Sequence, residues 1–435
     1  MAPSFNTYFS FSEFNGGRPA SLDEFRAELS QFSAPEVVYL CSVMNSVITD
    51  WQGHYRRDAH EELVRNSFAP EFAARIIAEG RNPGIPRSVY HRRQLLFVAK
   101  EAILCCPKGG GKNPLVPPHS GAMGRVLLMA NDLLPKGLTR GGSRTQTAAQ
   151  LINVMSELIP IGEASGHFRA INKIVRSRIM LDRFLPSDGT EVKNIFERET
   201  GVPLDQYFAL CFATLCRYYD LDLKKYQSDT STYALLEQWY KTIPVSSTVL
   251  ARFLAEISAS LDDFRCQLQG QEPGSTDFTC FRSKPIFLHE EGRYLIDSLC
   301  LAEKSESGIF WRVNQGLPQG SRLQFHRDWG AAFERYVNWI IGASCETSVN
   351  RIYPNPTFSD TGSEVCDALL VCGDSMLFVE SKGTTFSARS KYGTDPAVCA
   401  RSLKRSSSRR RAQERGLVSL RPGSRKRFAR RNAVP

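Results

Sequence analysis

The segment that most constrains the fold is VCDALLVCGDSMLFVESK, residues 365–382, in which two apolar runs are joined by Cys-Gly-Asp-Ser. Glycine adopts positive φ readily, so Gly373 followed by Asp374 suits a tight hairpin turn. The two flanking runs are therefore predicted to pair as antiparallel strands. If Cys372 pairs with Ser375, the register of every other pair in the hairpin is determined.

This register places Asp367 directly opposite Glu380, and side-chain alternation places Lys382 on the same face as Glu380. Like charges on directly opposed residues are destabilising. The run Met-Leu-Phe-Val before Glu380 has no polar face, which indicates a strand covered on both sides. Two carboxylates and an ammonium in such a place are costly unless they are neutralised, and a bound cation would neutralise the acids. A surface salt bridge is the alternative interpretation.

An amphipathic helix is predicted upstream, in the segment FHRDWGAAFERYVNWIIGA. Glu334 lies at the edge of its apolar stripe, where a carboxylate can reach a neighbouring sheet. The segment SVNRIY, which follows, is predicted to form a first strand. The apolar positions of the helix are Phe325, Trp329, Ala332, Phe333, Tyr336, Val337, Ile340 and Ile341.

The order of a helix with Glu334, a strand, a strand with Asp367, and a strand with Glu380-x-Lys382 resembles the PD-(D/E)xK nuclease superfamily, which has the restriction-endonuclease-like fold. The resemblance covers roughly residues 323–392. It rests on the order, spacing and secondary-structure context of the motifs, because each motif alone is weakly specific.

The resemblance implies metal-dependent cleavage of a phosphodiester bond, with Mg²⁺ as the cofactor and Mn²⁺ as an alternative. It assigns Asp367 and Glu380 as metal ligands, together with the backbone carbonyl of Ser381. Lys382 would orient the attacking water or stabilise charge on the phosphoryl oxygens, and Glu334 would act from the helix, directly or through water. The implied catalytic residues are Glu334, Asp367, Glu380 and Lys382.

The predicted fold class is a multidomain α+β protein with a mostly α-helical N-terminal region followed by a restriction-endonuclease-like α/β core. Residues 1–270 form the helical region, of unknown specificity, and residues 271–322 form a connector in which KPIFLHEEGRYLID is predicted to be a β-hairpin. Residues 323–400 form the nuclease-like domain, and residues 401–435 form a basic tail.

The excess positive charge of the chain lies in this tail. The net charge is +10, but residues 401–435 hold 13 Lys or Arg and one acid, which leaves 42 basic and 44 acidic residues in the rest. A solvated basic tail binds phosphate backbones without sequence preference. Two alternatives stay open: a disordered end without a role, and an out-of-frame product that would leave the nuclease core truncated and this chain inactive.

Composition excludes several other classes of protein. No apolar stretch approaches the roughly 20 residues that a membrane-spanning helix needs, and the N-terminus lacks the pattern of a signal peptide, so we expect a cytoplasmic protein without a membrane partner. The 12 cysteines show no CxxC pair, which argues against a zinc module and a disulfide framework.

Three local expectations concern the helical region. Ser21 and Glu24 are predicted to form a capping box at a helix start. His60 is predicted to be exposed or to cap a helix. In SVYHRRQLLFVAK, an amphipathic helix is predicted with Arg92 and Arg93 facing outward, and contact of its aromatic and basic residues with nucleic acid is the alternative.

The sequence thus leads to the hypothesis of a nuclease that hydrolyses DNA, with nucleic acid as its partner and bacterial defence against phage DNA as its setting. The first alternative is a nucleic-acid-binding protein with a degenerate or truncated nuclease fold. The second is a protein-interaction scaffold whose acids form structural salt bridges.

Overall fold

The computed structural model describes residues 7–48, 55–81, 87–114, 119–134, 167–185, 189–218, 237–271, 274–289, 292–345, 350–358, 362–373 and 375–381. The predicted basic tail, residues 401–435, lies outside the described residues, and so does Lys382.

The described residues are mostly helical, as the sequence predicts for the N-terminal region. The Ser21 hydroxyl accepts from the Glu24 N–H and the Glu24 carboxylate accepts from the Ser21 N–H, so the predicted capping box is confirmed. The helices are α1 (Leu22–Leu29), α2 (Ala34–Val47), α3 (Arg57–Ser67), α4 (Pro70–Gly80), α5 (Arg92–Cys105), α6 (His119–Leu133), α7 (His167–Ile179), α8 (Gly189–Thr200), α9 (Leu204–Arg217), α10 (Ser247–Ile257), α11 (Leu261–Leu268), α12 (Thr279–Ser283), α13 (Ser298–Lys304), α14 (Ser307–Gly316) and α15 (Gln319–Cys345).

The strands form small sheets between and after these helices. In the connector, the predicted hairpin is confirmed, and its first strand also pairs in parallel with a short strand between α10 and α11. Near the C-terminal end of the described residues, three strands form an antiparallel sheet in chain order, Asn350–Pro354, Ala368–Cys372 and Ser375–Val379. The strands are β1 (Thr7–Tyr8), β2 (Arg87–Ser88), β3 (Ser258–Ser260), β4 (Ile286–His289), β5 (Gly292–Leu295), β6 (Asn350–Pro354), β7 (Ala368–Cys372) and β8 (Ser375–Val379).

One hydrophobic core extends from Phe9 to Tyr336, so it includes the connector and much of α15. A second, small cluster lies under the C-terminal sheet and contains Val365, Cys366 and Leu369. The predicted domain boundaries at residues 270 and 322 stay a prediction, and the large core runs across both positions. The helix α15 belongs to the large core and also contacts β6, so it connects the helical region to the sheet.

The expectation for α5 is wrong at Arg92. This helix is buried on nearly all sides, and the Arg92 side chain is only 18% exposed because it pairs with the buried Asp297. The Arg92 Nε and Nη2 atoms donate to the two carboxylate oxygens at 2.6 and 2.7 Å. Sequence periodicity assigned Arg92 to the surface because it depends only on neighbouring residues. Asp297, the buried acid that pairs with Arg92, lies 205 residues further along the chain.

The expectation for His60 is also wrong. Its side chain is only 6% exposed, and its ring lies between the rings of Tyr55 and Tyr90, with centroid distances of 5.2 and 5.3 Å. The ring fills an apolar position of α3, where the sequence offers no sign that two tyrosines from other segments enclose it.

None of the described helices combines the length and the apolar character that a membrane crossing requires.

Candidate metal centre

The hairpin of residues 365–382 has the predicted register. Cys372 pairs with Ser375 and Ala368 pairs with Val379. Asp367 and Glu380 follow immediately beyond this last pair, at the end of the sheet that lies away from the turn. Gly373 has a φ of 55°, as the tight turn requires.

The expectation that the second strand is covered on both faces is wrong for the described part of the chain. β8 is the edge strand of its sheet, and the side chains of Met376, Leu377 and Phe378 are 58%, 56% and 38% exposed. β7, the central strand, is the buried one. The uniformly apolar run therefore reflects an exposed apolar edge among the described residues, and apolar content alone does not distinguish that from a covered strand.

Glu334 is positioned by α15. The buried face of this helix consists of Phe325, Trp329, Ala332 and Tyr336, which packs into the large core as the predicted stripe requires. Glu334 is half-buried beside that face, and the same part of the helix contacts β6. The predicted strand SVNRIY corresponds to β6, which begins at Asn350.

Three carboxylates converge between α15 and the sheet. Glu334, Glu364 and Asp367 each present an oxygen, and these oxygens lie within 4.8 Å of one another. Asp367 is 8% exposed, Glu334 is half-buried and Glu364 is exposed. Carboxylate oxygens at this spacing repel one another unless a cation or protons neutralise them. The arrangement is therefore suited to a hard divalent cation, which prefers oxygen ligands.

Two asparagines hold Glu334 and Asp367 in place. The Asn355 Nδ2 atom donates to Glu334 Oε1 at 2.7 Å, and the Asn355 backbone N–H donates to the Asp367 carbonyl at 3.0 Å. Asn338 Nδ2 donates to Asn355 Oδ1 at 3.2 Å and to the same Asp367 carbonyl at 3.3 Å. The helix and the sheet are thus joined by hydrogen bonds at the point where the carboxylates meet.

The remaining predicted site residues have different positions. Ser381 donates a backbone hydrogen bond to Asp367 Oδ2, and its hydroxyl donates to the same oxygen at 3.1 Å. The predicted metal contact through the Ser381 carbonyl stays a prediction. Glu380 is half-buried and lies one residue beyond the last pair of the hairpin, and its carboxylate is not one of the three that converge. Its predicted pairing with Asp367 stays a prediction. Lys382 lies outside the described residues.

The pKa of the Cys366 thiol reflects its burial and the negative charge around it. Burial raises the pKa of Cys366 to about 11, and the charges of Glu380, Asp367 and Glu364 act in the same direction. Glu380 therefore lies near enough to contribute to the local field even though it is outside the group of three carboxylates.

Sequence reasoning missed Glu364 as a site residue. Residues 364 and 367 differ by three, so in a regular strand their side chains would point to opposite faces. In the structure β7 begins only at Ala368, and the irregular backbone before it brings both carboxylates to one side. Asn338 was detectable in principle, because it lies four residues after Glu334 and so on the same face of α15.

The backbone conformation of Asn355 predicts how two substitutions at this position change the free energy of unfolding. Its φ is 45°, in the left-handed region that glycine adopts without strain. We expect Asn355→Ala to be about 1 kcal/mol less stable than Asn355→Gly, because both lose the side-chain hydrogen bonds but only alanine retains a Cβ. Urea unfolding of the two variants measures this difference. Equal stability would contradict the left-handed conformation.

Comparisons with known proteins add no assignment to this geometry. No family model, no curated protein and no solved structure matches the chain.

Proposed function

We propose that this protein is a metal-dependent nuclease that hydrolyses phosphodiester bonds in DNA, with a C-terminal core of the restriction-endonuclease-like type. The observation that carries the proposal is the convergence of Glu334 and Asp367, two residues of the resembled motif, with a third carboxylate, Glu364. A helix and a hairpin that are distant in sequence bring these acids together. Isolated surface acids have no physical reason to meet in this way.

The residues present fit Mg²⁺ or Mn²⁺. Asp367 Oδ2 and Glu334 Oε1 already accept hydrogen bonds, so each carboxylate keeps its second oxygen for a cation, and Glu364 adds another ligand. Asn338 Oδ1 is buried without a hydrogen-bond partner in the described residues. A water molecule of a hydrated cation is a donor suited to it. A bound cation would lower the pKa of a coordinated water and polarise the phosphate.

The chain's own residues supply position and charge. Asp367 is fixed by Ser381, and Glu334 is fixed by Asn355, so the metal-binding oxygens are held before substrate binds. Glu380, which follows β8 directly, is proposed as a further ligand or as a group that orients a bound water. Lys382 is proposed to stabilise charge on the phosphoryl oxygens.

The partner and the setting are also proposals. The basic residues 401–435 would contribute non-specific attraction to DNA. A helical region joined to a nuclease-like core suits recognition and cleavage of foreign DNA in bacterial defence, which is an analogy from architecture.

The first experiment measures cleavage of plasmid and linear DNA by the purified protein with Mg²⁺, with Mn²⁺ and with EDTA. We expect cleavage with either metal and none with EDTA, because a bound cation would activate the attacking water and, without it, the converging carboxylates would repel the phosphate. Salt-sensitive DNA binding without cleavage would favour the degenerate-fold alternative. Neither binding nor cleavage would favour the scaffold.

A further inference from the structure

A separate cavity lies in the helical region, between the start of α3, the end of α4 and β2. Its volume is about 430 Å³. Ile76 and Ile77 of α4 form an apolar wall, and Tyr55 contributes an aromatic ring. His60 and Arg57, both from the first turn of α3, supply polar groups. No carboxylate of the candidate metal centre belongs to this cavity.

The hydrogen bonds of His60 determine its tautomer. Its Nε2 atom accepts from the backbone N–H of Val89 at 2.9 Å and of Tyr90 at 3.4 Å, so this nitrogen carries no proton. The remaining proton of the neutral ring is therefore on Nδ1. Burial lowers the pKa of His60 to about 4, so the ring is neutral at pH 7. Among the described residues Nδ1–H has no hydrogen-bond partner, and the ring, 94% buried, lines the cavity.

Arg57 adds a positive charge whose guanidinium makes no ion pair with any residue in the part of the chain that the structure describes. The other charges at the cavity are already neutralised. Arg81 donates two hydrogen bonds to Glu61 at 2.6 and 2.7 Å, and Arg87 is bound to Glu13 at 2.5 Å. The hydrogen bond from Arg81 also lowers the pKa of Glu61, which is therefore ionised. Among the described residues that line the cavity, the charge without a counter-ion is the positive charge of Arg57.

The start of α3 also favours a negatively charged ligand. Among the described residues no side chain caps this 11-residue helix, and the acid of its first turn, Asp58, is exposed and paired with Arg56 at 3.7 Å. The positive end of the helix therefore also favours a negatively charged group. The Nδ1–H of His60 and the guanidinium of Arg57 are one helical turn apart and donate from the same side of the helix.

We propose that this cavity binds a small organic oxyanion, a carboxylate or a phosphate ester, whose charged group contacts Arg57 and His60 Nδ1–H while its apolar part packs against Tyr55, Ile76 and Ile77. The size of the cavity suits a single ring with one charged substituent. This site is independent of the proposed nuclease centre, since it involves no residue of that centre and no metal.

The test uses calorimetric titration of the full chain in EDTA and about 0.15 M salt, which removes metal ions and screens non-specific attraction. The probes are benzoate, phenyl phosphate and the neutral benzamide, which share a ring and differ in the charged group. We expect one of the two anions to bind at one site and benzamide to bind at least about tenfold more weakly, because a charge-assisted hydrogen bond is lost. Preference for benzoate identifies a carboxylate ligand, and preference for phenyl phosphate identifies a phosphate ester.

Substitutions at the cavity test whether the anion binds there. Arg57→Gln is expected to weaken anion binding about tenfold or more. Arg65→Gln makes the same charge change on the same helix at a residue that does not line the cavity, and it should change binding less than about twofold, because Arg81 still neutralises Glu61 when the Arg65 contact is lost. His60→Gln keeps an acceptor for the Val89 N–H but loses the Nδ1–H donor, so it should also weaken binding, with thermal unfolding as the check on folding. Failure of both anions to bind, equal binding of benzamide, or equal loss in Arg57→Gln and Arg65→Gln would each overturn the proposal.

Discussion

Asp367→Asn is expected to abolish DNA cleavage, with a loss of at least about 10²–10³-fold in rate. The substitution removes a negative charge from the place where three carboxylates meet, while its side-chain oxygen can still accept the hydrogen bonds from Ser381. The expected loss is therefore chemical and not structural. Asp367→Ala should be equally inactive, but it also leaves the Ser381 N–H without its acceptor.

The same variant should change stability in opposite directions with and without metal. In EDTA, Asp367→Asn is expected to unfold at a higher temperature than wild type, because it relieves repulsion from Glu334 and Glu364. Mg²⁺ should stabilise the wild type by mass action and stabilise the variant much less. Differential scanning fluorimetry with a titration of Mg²⁺ measures both effects.

The matched control is Asp328→Asn, which makes the same charge change on α15, six residues before Glu334. Asp328 accepts a hydrogen bond from Gln324 and does not belong to the group of converging carboxylates. It should cleave DNA and respond to Mg²⁺ like wild type. Full cleavage by a well-folded Asp367→Asn protein would show that the proposed centre is not the active site.

Asp297→Ala is expected to lower the free energy of unfolding by about 3–5 kcal/mol. Asp297 is 2% exposed and caps α13 by accepting from the Cys300 N–H at 2.8 Å. It also accepts from Arg92 of α5 and, at 2.7 Å, from Asn45 of α2. Alanine leaves the Arg92 guanidinium buried without its counter-ion, and that uncompensated charge is the main cost. Urea unfolding measures the difference.

The pH dependence of the free energy of unfolding distinguishes the contribution of this ion pair from that of apolar packing. Burial on its own would raise the pKa of Asp297, but the charge and hydrogen bonds of Arg92, with help from Asn45, lower it from 3.8 to about 2. Because the folded-state pKa is depressed, the stabilisation is fully present above about pH 4 and is lost as the pH falls toward 2. Asp297→Asn should lack this part of the acid dependence.

Asp262→Ala is the control for Asp297→Ala. Asp262 is 67% exposed and forms an ion pair with Lys108 at 3.2 Å, also near a helix start. Its loss should cost less than about 1 kcal/mol, because solvent screens an exposed pair. A cost for Asp297→Ala as small as that for Asp262→Ala would contradict the assignment of Asp297 as a buried link between three helices.

The C-terminal sheet shows how far local sequence determines structure. The turn at Gly373 and the alternation of side chains fixed the register of β7 and β8, because both act over a few residues. The helix that carries Glu334 was likewise readable from its apolar spacing. The exposure of β8 could not be predicted from local sequence, because other elements of the chain decide whether a strand is covered.

The helical region shows the same limit. Periodicity located α5 but assigned Arg92 to the surface, because it contains no information on Asp297. His60 was expected to be exposed or to cap a helix, because local sequence does not show that Tyr55 and Tyr90 pack against its ring. The Ser21 capping box was correct because all of its atoms lie within one helical turn.

The sequence by itself determined the register of β7 and β8 and the helix of Glu334, since both follow from local backbone geometry. Only the tertiary structure decided that Glu364 joins Glu334 and Asp367, and that Asn338 and Asn355 hold them. It alone revealed the cavity of Arg57 and His60. These arrangements bring together side chains from separate elements, and their distances depend on how the helices and the sheet pack.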